Sequence, residues 1–263
     1  MRSSRLLITG ILAVTSAIAA SVLGTAIPAE AATVNYVALG DSYAAGVGAG
    51  SNSGSCARSP NAYPSLWASA NSVTSFSFVA CSGATTSDVI NSQLSTLSAS
   101  TTLVSVTIGG NDANFASTME TCILSSTSTC VAKVQADEQI VSTQLPGRLN
   151  TMLGDIRAKA PSARIVLVGY PDFYDLNASI CIGLSRGDHQ AIDTGINLLN
   201  SVIATAAANN GAVFADPRAQ FSGHELCDGA GWLNSLTIPV GNSYHPTATG
   251  QRSGYLPVFT AAA

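Results

Sequence analysis

The amino-acid sequence predicts an α/β domain with a central parallel sheet that helices cover on both faces. Short apolar runs that end near glycine, proline or small polar residues are typical of buried strands. They alternate along the chain with longer segments whose apolar residues recur at helical spacing. Strands that alternate with helices form parallel sheets, because each crossover helix returns the chain to the same end of the sheet.

The first 31 residues have the features of a secretory signal peptide. Met1–Arg5 contains two arginines, Leu6–Gly24 is apolar, and Ala29-Glu30-Ala31 has the small-x-small pattern that signal peptidase accepts. An uncleaved membrane anchor is the alternative, since the apolar stretch is nearly long enough to cross a bilayer. The cleavage pattern favours export with removal of residues 1–31, which leaves one domain over residues 32–263.

Five segments of this domain are predicted to be strands, and two longer segments are predicted to be helical. The strands are Val34–Leu39, Ser75–Ala80, Leu103–Ile108, Arg164–Val168 and Ala212–Phe214. The helical segments are Ala132–Ala160, with an interruption at Pro146, and Asp188–Asn209, which stops at an Asn-Asn-Gly sequence.

The first three strands are expected to end at one functional edge. They end near Gly40, Cys81 and Gly109 respectively. In open parallel sheets, ligands bind beyond the carboxyl ends of the strands. We therefore expect the residues that follow these three positions to lie close together.

The composition excludes several classes of partner. Charged residues make up only 10% of the chain, the net charge is −4, and no run of lysines or arginines occurs. A nucleic-acid-binding protein needs a concentrated basic face, and strong docking on anionic lipid needs one as well. We expect a monomer that acts on small or neutral molecules, with at most transient contact with a lipid surface.

The six cysteines all lie within the predicted mature domain. They are Cys56, Cys81, Cys122, Cys130, Cys181 and Cys227. An even number in an exported chain indicates three disulfides, although the count alone leaves the pairing open. A zinc site is the competing interpretation, but no C-x-x-C pair occurs and no histidine lies at ligand spacing from a cysteine. We expect no metal and no cofactor.

Four short motifs contain the groups that acyl transfer requires. Three follow the first three strands, and the fourth lies near the C-terminus. They are Gly40-Asp41-Ser42-Tyr43, the small-residue block around Gly83, Gly109-Gly110-Asn111-Asp112 and Ser243-Tyr244-His245-Pro246. Acyl transfer needs a hydroxyl beside a base, and hydrogen-bond donors directed at the oxygen that becomes negative.

Each of these motifs has an ordinary structural explanation when it is considered alone. Ser42 and Gly83 would lie in turns, Asn111 would cap a helix, and His245 would be a surface histidine. Their order after successive strands favours a shared site. Ser42 can be the nucleophile, His245 the base, and the Gly83 N–H and Asn111 amide the donors.

With these motifs the sequence resembles the SGNH (GDSL) hydrolases, in particular their small secreted bacterial esterases, lipases and phospholipases. The resemblance covers nearly all of the mature chain and implies a flavodoxin-like three-layer α/β/α fold. It implies that Ser42 is the nucleophile and His245 the base, with an oxyanion hole formed by the N–H of Ser42, the N–H of Gly83 and the side chain of Asn111. It also implies the disulfides Cys56–Cys81, Cys122–Cys130 and Cys181–Cys227, the first two of which sequence proximity also favours.

One position departs from the family pattern. Most members have an aspartate three residues before the histidine, where this chain has Asn242. An amide cannot supply the negative charge that stabilises a protonated imidazole. Some relatives of the secreted branch use a Ser–His dyad with a backbone carbonyl as acceptor, and here that carbonyl belongs to Ser243. We therefore expect a dyad.

A second serine also lies in a hydrolase-like motif. Gly183-Leu184-Ser185-Arg186-Gly187 matches the G-x-S-x-G nucleophile elbow. The elbow needs a strand directly before it, but the preceding segment is polar and interrupted. A surface loop is the better interpretation. His189 and His224 have no partner that the sequence identifies, and Gly46–Ser55 reads as a loop beside the site.

The leading functional hypothesis is a secreted hydrolase of lipid or small acyl esters that forms an acyl-enzyme. One alternative is an esterase of acetylated carbohydrate, which would need a short polar pocket. The other is an extracellular binding module that has lost its chemistry. The complete set of four motifs argues against the binding module, because an inactive descendant should lose at least one of them.

Overall fold

The predicted strands pair into one parallel sheet. The structure is a computed structural model that describes residues 33–263, so the predicted signal peptide lies outside the described residues. The strands are β1 (Asn35–Gly40), β2 (Ser75–Phe78), β3 (Leu103–Thr107), β4 (Arg164–Val168) and β5 (Val213–Ala215). All neighbours are parallel and the order is β2-β1-β3-β4-β5. The predicted α/β class with a parallel sheet is confirmed.

Helices follow each strand and flank the sheet. They are α1 (Ser42–Ala45), α2 (Tyr63–Ala70), α3 (Thr86–Asp88), α4 (Phe115–Leu124), α5 (Thr127–Thr143), α6 (Leu145–Lys159), α7 (Arg186–Asn209), α8 (Arg218–Phe221) and α9 (Leu256–Ala262). Short π-helical segments occur at Val89–Gln93 and Gly250–Tyr255, and 3₁₀ turns at Leu94–Thr96 and Val240–Asn242. None of the helices within residues 33–263 combines the length and the hydropathy that a bilayer crossing requires.

The long predicted helical segment forms two helices that meet at Gln144. Pro146 lies in the first turn of α6, where its missing N–H has no helical partner to lose. The helix before it, α5, begins five positions earlier than Ala132, the predicted start. Its start is set by Ser126, whose side chain accepts a hydrogen bond from the Thr129 N–H. The proline therefore separates two helices that pack on each other.

Helix α7 likewise begins two residues before its predicted start. The Ser185 side chain accepts from the Asp188 N–H, and the Asp188 carboxylate accepts from the Ser185 N–H. This reciprocal capping box fixes the first turn at Arg186. Ser185 therefore caps a helix, as expected for a surface segment, and no strand precedes it directly.

The middle of the sheet is buried on both faces. Every residue of β3 is buried, and so is every residue of β1 after Asn35. This burial accounts for the continuous apolar runs that predicted these strands, because a strand covered on both faces has no solvent side. At the edge of the sheet, β2 is only half-buried. The carboxyl ends of β1 and β3, which were expected to adjoin the functional edge, thus belong to buried strands.

Three disulfides close the loops around the sheet. They join Cys56 to Cys81, Cys122 to Cys130 and Cys181 to Cys227, with sequence separations of 25, 8 and 46 residues. The first connects the loop after α1 to the segment that follows β2. These bonds restrict the conformations that the unfolded chain can adopt. They therefore reduce the conformational entropy that is lost on folding.

Replacing Cys56 and Cys81 together with serine should lower the free energy of unfolding by about 3.5 kcal/mol, the value that loop-closure entropy gives for a ring of this size. Denaturation in guanidinium chloride would measure the change. The Cys122→Ser/Cys130→Ser variant opens a shorter ring, should lose less stability, and serves as the comparison. Unfolding of the Cys56/Cys81 variant at the wild-type denaturant concentration would contradict the expectation.

Candidate active site

Ser42 lies at the first turn after the central strand β1. The chain turns at Gly40, whose φ of +125° and close approach to the carbonyl of Thr107 leave no room for a Cβ, which would lie 2.3 Å from that oxygen. Asp41 then caps α1 by accepting a hydrogen bond from the Tyr43 N–H at 2.9 Å. Ser42 follows as the first residue of α1, and its exposed fraction is 8%. The turn therefore presents the hydroxyl at the sheet edge.

The structure brings His245 onto this hydroxyl. Its Nε2 is 2.7 Å from the Ser42 Oγ, and its Nδ1 is 2.9 Å from the carbonyl oxygen of Ser243. A carbonyl can only accept, so Nδ1 carries the proton and Nε2 presents its lone pair to the serine. This tautomer allows the imidazole to take the hydroxyl proton.

The backbone between Ser243 and His245 is held in an unusual conformation. Tyr244 has a φ of +62°, a region that few residues other than glycine adopt. Two hydrogen bonds hold it there: its N–H donates to the Asn234 carbonyl at 2.8 Å, and its own carbonyl accepts from the Tyr43 hydroxyl at 2.5 Å. The Tyr43 contact ties the histidine loop to α1, and so to Ser42.

Burial keeps His245 neutral. It lowers the pKa of His245 to about 4, and the hydrogen bond to Ser243 opposes this effect without cancelling it. Loss of solvation disfavours the charged imidazolium, and no carboxylate touches the ring to offset that loss within the described chain. The residue is therefore a free base at neutral pH.

The loops that contain Gly83 and Asn111 meet at the same edge. The Cys81 N–H donates to the Gly40 carbonyl at 2.9 Å, and the Asn111 side chain donates to the Ala84 carbonyl at 2.9 Å. Gly83 lies between these two contacts with a φ of +82°. Ser42 and Asn111 line one pocket together with Asp41, Tyr43, Tyr170 and Phe173. The convergence predicted for Gly40, Cys81 and Gly109 is therefore observed.

A buried carboxyl beside the serine escaped the sequence analysis. Asp41 is almost fully buried, and burial raises its pKa to about 7, against the lowering effect of hydrogen bonds from Tyr170 and Tyr43. The Tyr170 hydroxyl donates to Asp41 and accepts from the Gly110 N–H at 3.1 Å. These contacts link the loop of Ser42 to the loop of Asn111. The adjacency of Asp41 to Ser42 was visible in the sequence, but Tyr170 stands in no motif.

The other residues noted in the sequence differ in the contacts that they make. Among the hydrogen bonds of residues 33–263, none involves the Asn242 side chain. His189 stacks on Tyr174 and His224 stacks on Trp232. The glycine-rich loop does lie beside the site, because a Cβ on Gly48 would come within 2.9 Å of the His245 Cβ.

Comparison with known proteins supplies the wider context. Residues 38–253 match the model of the GDSL-like Lipase/Acylhydrolase family. The chain is 52% identical over 237 residues to Lipase 1 of Streptomyces coelicolor, covering 89% of this chain and 88% of that protein. A phospholipase A1 from Streptomyces albidoflavus superposes with a TM-score of 0.86 at 53% identity, over 88% of this chain and 100% of its own. An extracellular lipase from Streptomyces rimosus gives 0.86 at 49% identity with the same coverage.

The fold and the catalytic edge are those of a hydrolase of carboxylic esters. The chain belongs to the GDSL-like lipase/acylhydrolase family, as the family match and the identity to its lipases show. The resemblance to SGNH hydrolases and the expected enzyme class are thereby confirmed.

The acid–base behaviour of His245 can be measured directly. We expect its ring resonances to titrate with a midpoint near pH 4, because burial disfavours the imidazolium. Two-dimensional NMR of ¹⁵N-histidine-labelled protein would give the midpoint and the tautomer. A His245→Gln variant assigns the signals. A midpoint near 6.5, the ordinary value for histidine, would contradict the described environment.

Proposed function

We propose that this protein cleaves acyl esters through a covalent intermediate on Ser42. The observation that carries the proposal is the 2.7 Å contact between the Ser42 Oγ and the His245 Nε2. Ser42 attacks the ester carbonyl as His245 takes its proton, and the imidazolium then protonates the departing alcohol. Water enters next, gives a proton to His245, and displaces the acid from Ser42, which regains its proton.

Three donors would stabilise the oxyanion of each tetrahedral intermediate: the Ser42 N–H, the Gly83 N–H and the Asn111 amide. The two backbone groups donate to no protein acceptor within residues 33–263. Gly83 has nothing within 4 Å of the position where a Cβ would stand, so a substrate oxygen can approach its backbone. Asn111 lines the Ser42 pocket and uses one N–H on Ala84, which leaves its second N–H for a substrate.

The histidine is oriented by a backbone carbonyl in place of a carboxylate. The Ser243 carbonyl accepts from the Nδ1 at 2.9 Å, and this bond fixes the tautomer that the reaction needs. Its dipole stabilises the transient imidazolium less than a full negative charge would. Asn242 takes no part, and the active unit is a Ser42–His245 dyad.

The relatives favour a lipid as the substrate. They are described as lipases and as a phospholipase A1. The Ser42 pocket is lined by apolar and aromatic side chains that include Phe115, Phe173 and Leu199. Acetylated carbohydrate is disfavoured, because sugar recognition would require more polar groups around the serine.

The proposal extends to the surroundings in which the enzyme works. The relative described as extracellular supports secretion, with residues 1–31 as the signal peptide and residues 32–263 as the catalytic domain. Among residues 33–263, the large exposed apolar side chains are Leu124, Ile180, Ile182, Leu236, Ile238 and Val240. They lie at the end of α4, in the segment between β4 and α7, and in the segment between α8 and α9. They favour brief contact of a monomer with lipid aggregates, and no basic face is available for nucleic acid.

Ser42→Ala should abolish ester hydrolysis and labelling by a fluorophosphonate probe while leaving the thermal unfolding temperature nearly unchanged, since the hydroxyl lies at the surface of the pocket. Ser185→Ala is the matched control and should keep full activity, because Ser185 caps α7. Peptide mapping of the labelled wild-type protein locates the modified serine. An active Ser42→Ala variant, or a label on Ser185, would refute the mechanism.

The two asparagines near the site should respond very differently to replacement by alanine. Asn242→Ala should lower kcat by about tenfold or less, because the Asn242 side chain does not orient His245 in the proposed dyad. In an enzyme that relies on a triad, loss of the carboxylate lowers kcat by a factor on the order of 10⁴. Asn111→Ala should lower kcat by roughly 10²–10³ with little change in KM, as removal of an oxyanion donor does. Steady-state kinetics on one soluble ester compares them. A thousandfold loss in folded Asn242→Ala would instead assign the histidine-orienting role to the amide.

A further inference from the structure

A second cavity adjoins the pocket that contains Ser42. The two share Gly110, Phe115, Ile196 and Leu199 in their walls. From these residues the second cavity extends between α4, α5 and α7. It holds about 500 Å³ of space free of protein atoms, part of which is open to solvent. The second cavity therefore lies directly beside the pocket of the serine hydroxyl, separated from it only by side chains that both cavities contact.

The walls of this helical cavity are mostly aliphatic. Its apolar lining beyond the shared residues consists of Ala113, Met119, Val134, Val141 and Ile192. These side chains come from three different helices and the loop before α4. Because the space is partly open to solvent, these apolar side chains lack contacts and burial that a neighbouring apolar group would supply. A ligand that replaces the missing contacts would have to be apolar as well.

Thr118, Asp137 and Glu138 are the polar side chains of the wall; the first two are hydrogen-bonded, and the half-buried Glu138 carboxylate has no hydrogen-bond partner within residues 33–263. The Asp137 carboxylate accepts from the Asn114 side chain at 3.0 Å and also from Thr118 and Lys133. Within residues 33–263, the buried side-chain polar atoms without a hydrogen bond belong to Trp67, Asp172 and Asp188. None of these three lines the cavity. The fully buried part of the wall thus has no unpaired polar side-chain atom, and the Glu138 carboxylate lies where solvent can reach it.

We propose that the helical cavity binds the acyl chain of the ester, and that Gly195 sets the length of chain that fits. The proposal rests on the proposed function of Ser42. An ester whose carbonyl lies between Ser42 and Asn111 would have its acyl chain near Phe115, which lines both cavities. Each methylene that enters should raise kcat/KM by roughly fourfold, the ratio that burial of one methylene supplies.

Gly195 is the position at which a side chain would shorten this cavity. It lies within the 24-residue helix α7 and lines the cavity opposite α5. Glycine is less favourable than alanine inside a helix, so its place there needs a reason. A Cβ at Gly195 would meet the Val134 Cγ1 at 3.3 Å. Any larger group would take up space that the chain of a long ester would otherwise occupy.

The test is the hydrolysis of nitrophenyl esters from acetate to palmitate by Gly195→Leu. The ratio of kcat/KM for palmitate to that for acetate should fall roughly sixtyfold relative to wild type, as expected if three methylenes lose their burial at about fourfold each. Gly154→Leu is the matched control, because Gly154 is an exposed helical glycine with open space around it. Its ratio should stay at the wild-type value.

Two results for Gly195→Leu would overturn the inference. An unchanged ratio would mean that the chain lies elsewhere, and an equal loss on every ester would mean that the cavity does not distinguish acyl length. Met119→Ala provides the opposite change, since it enlarges the same cavity, and should shift the preferred ester to a longer chain. If Gly195→Leu fails to fold, an unshifted optimum in folded Met119→Ala is decisive against the cavity. Wild-type protein without activity on any of these esters would instead count against the function of Ser42.

Discussion

The position of β1 between β2 and β3 is the constraint on which the site depends. From β1 the chain crosses to β2 on one side and then returns to β3 on the other, so the loops after β1 and β3 diverge over opposite faces of the sheet. This divergence opens a crevice at the carboxyl edge, as in other doubly wound sheets. Ser42 stands on one side of the crevice and Asn111 on the other. No local motif could create that separation, because it is a property of strand order.

A buried network of hydrogen bonds connects the two sides of the crevice and fixes their relative positions. Tyr170, which follows β4, donates to Asp41 on the β1 side and accepts from the Gly110 N–H on the β3 side. Tyr43 performs a similar task for the histidine loop by donating to the Tyr244 carbonyl. Such contacts cost solvation, so they stabilise one geometry only when every member is satisfied. The hydroxyl groups of Tyr170 and Tyr43 thus hold the proposed nucleophile, base and oxyanion donor at fixed separations.

The sequence predicted what is local and missed what depends on tertiary contact. Strands β1, β3 and β4 were found to within a residue because burial on both faces makes them continuously apolar. The short helices α2 and α4 were not predicted, since a few turns leave little periodicity to detect. The predicted site residues lie in short motifs that the sequence reveals. Tyr170 lies in no motif and reaches Asp41 from the end of β4, which is distant in sequence. The shift in the pKa of His245 was equally inaccessible, because it arises from burial that only the folded chain creates.

The opposite pKa shifts of Asp41 and His245 have a consequence for folding. In the unfolded chain the carboxyl titrates near 3.8 and the imidazole near 6.5, whereas in the fold they titrate near 7 and near 4. Between pH 4 and 6.5 the unfolded pair holds one proton on the imidazole, and the folded pair holds one on the carboxyl. Folding therefore transfers a proton from base to acid without net uptake, and the pair leaves stability nearly independent of pH in that window. Only above it, up to about pH 7, does the folded pair retain a proton that the unfolded pair has lost, and there the contribution to stability declines as pH rises.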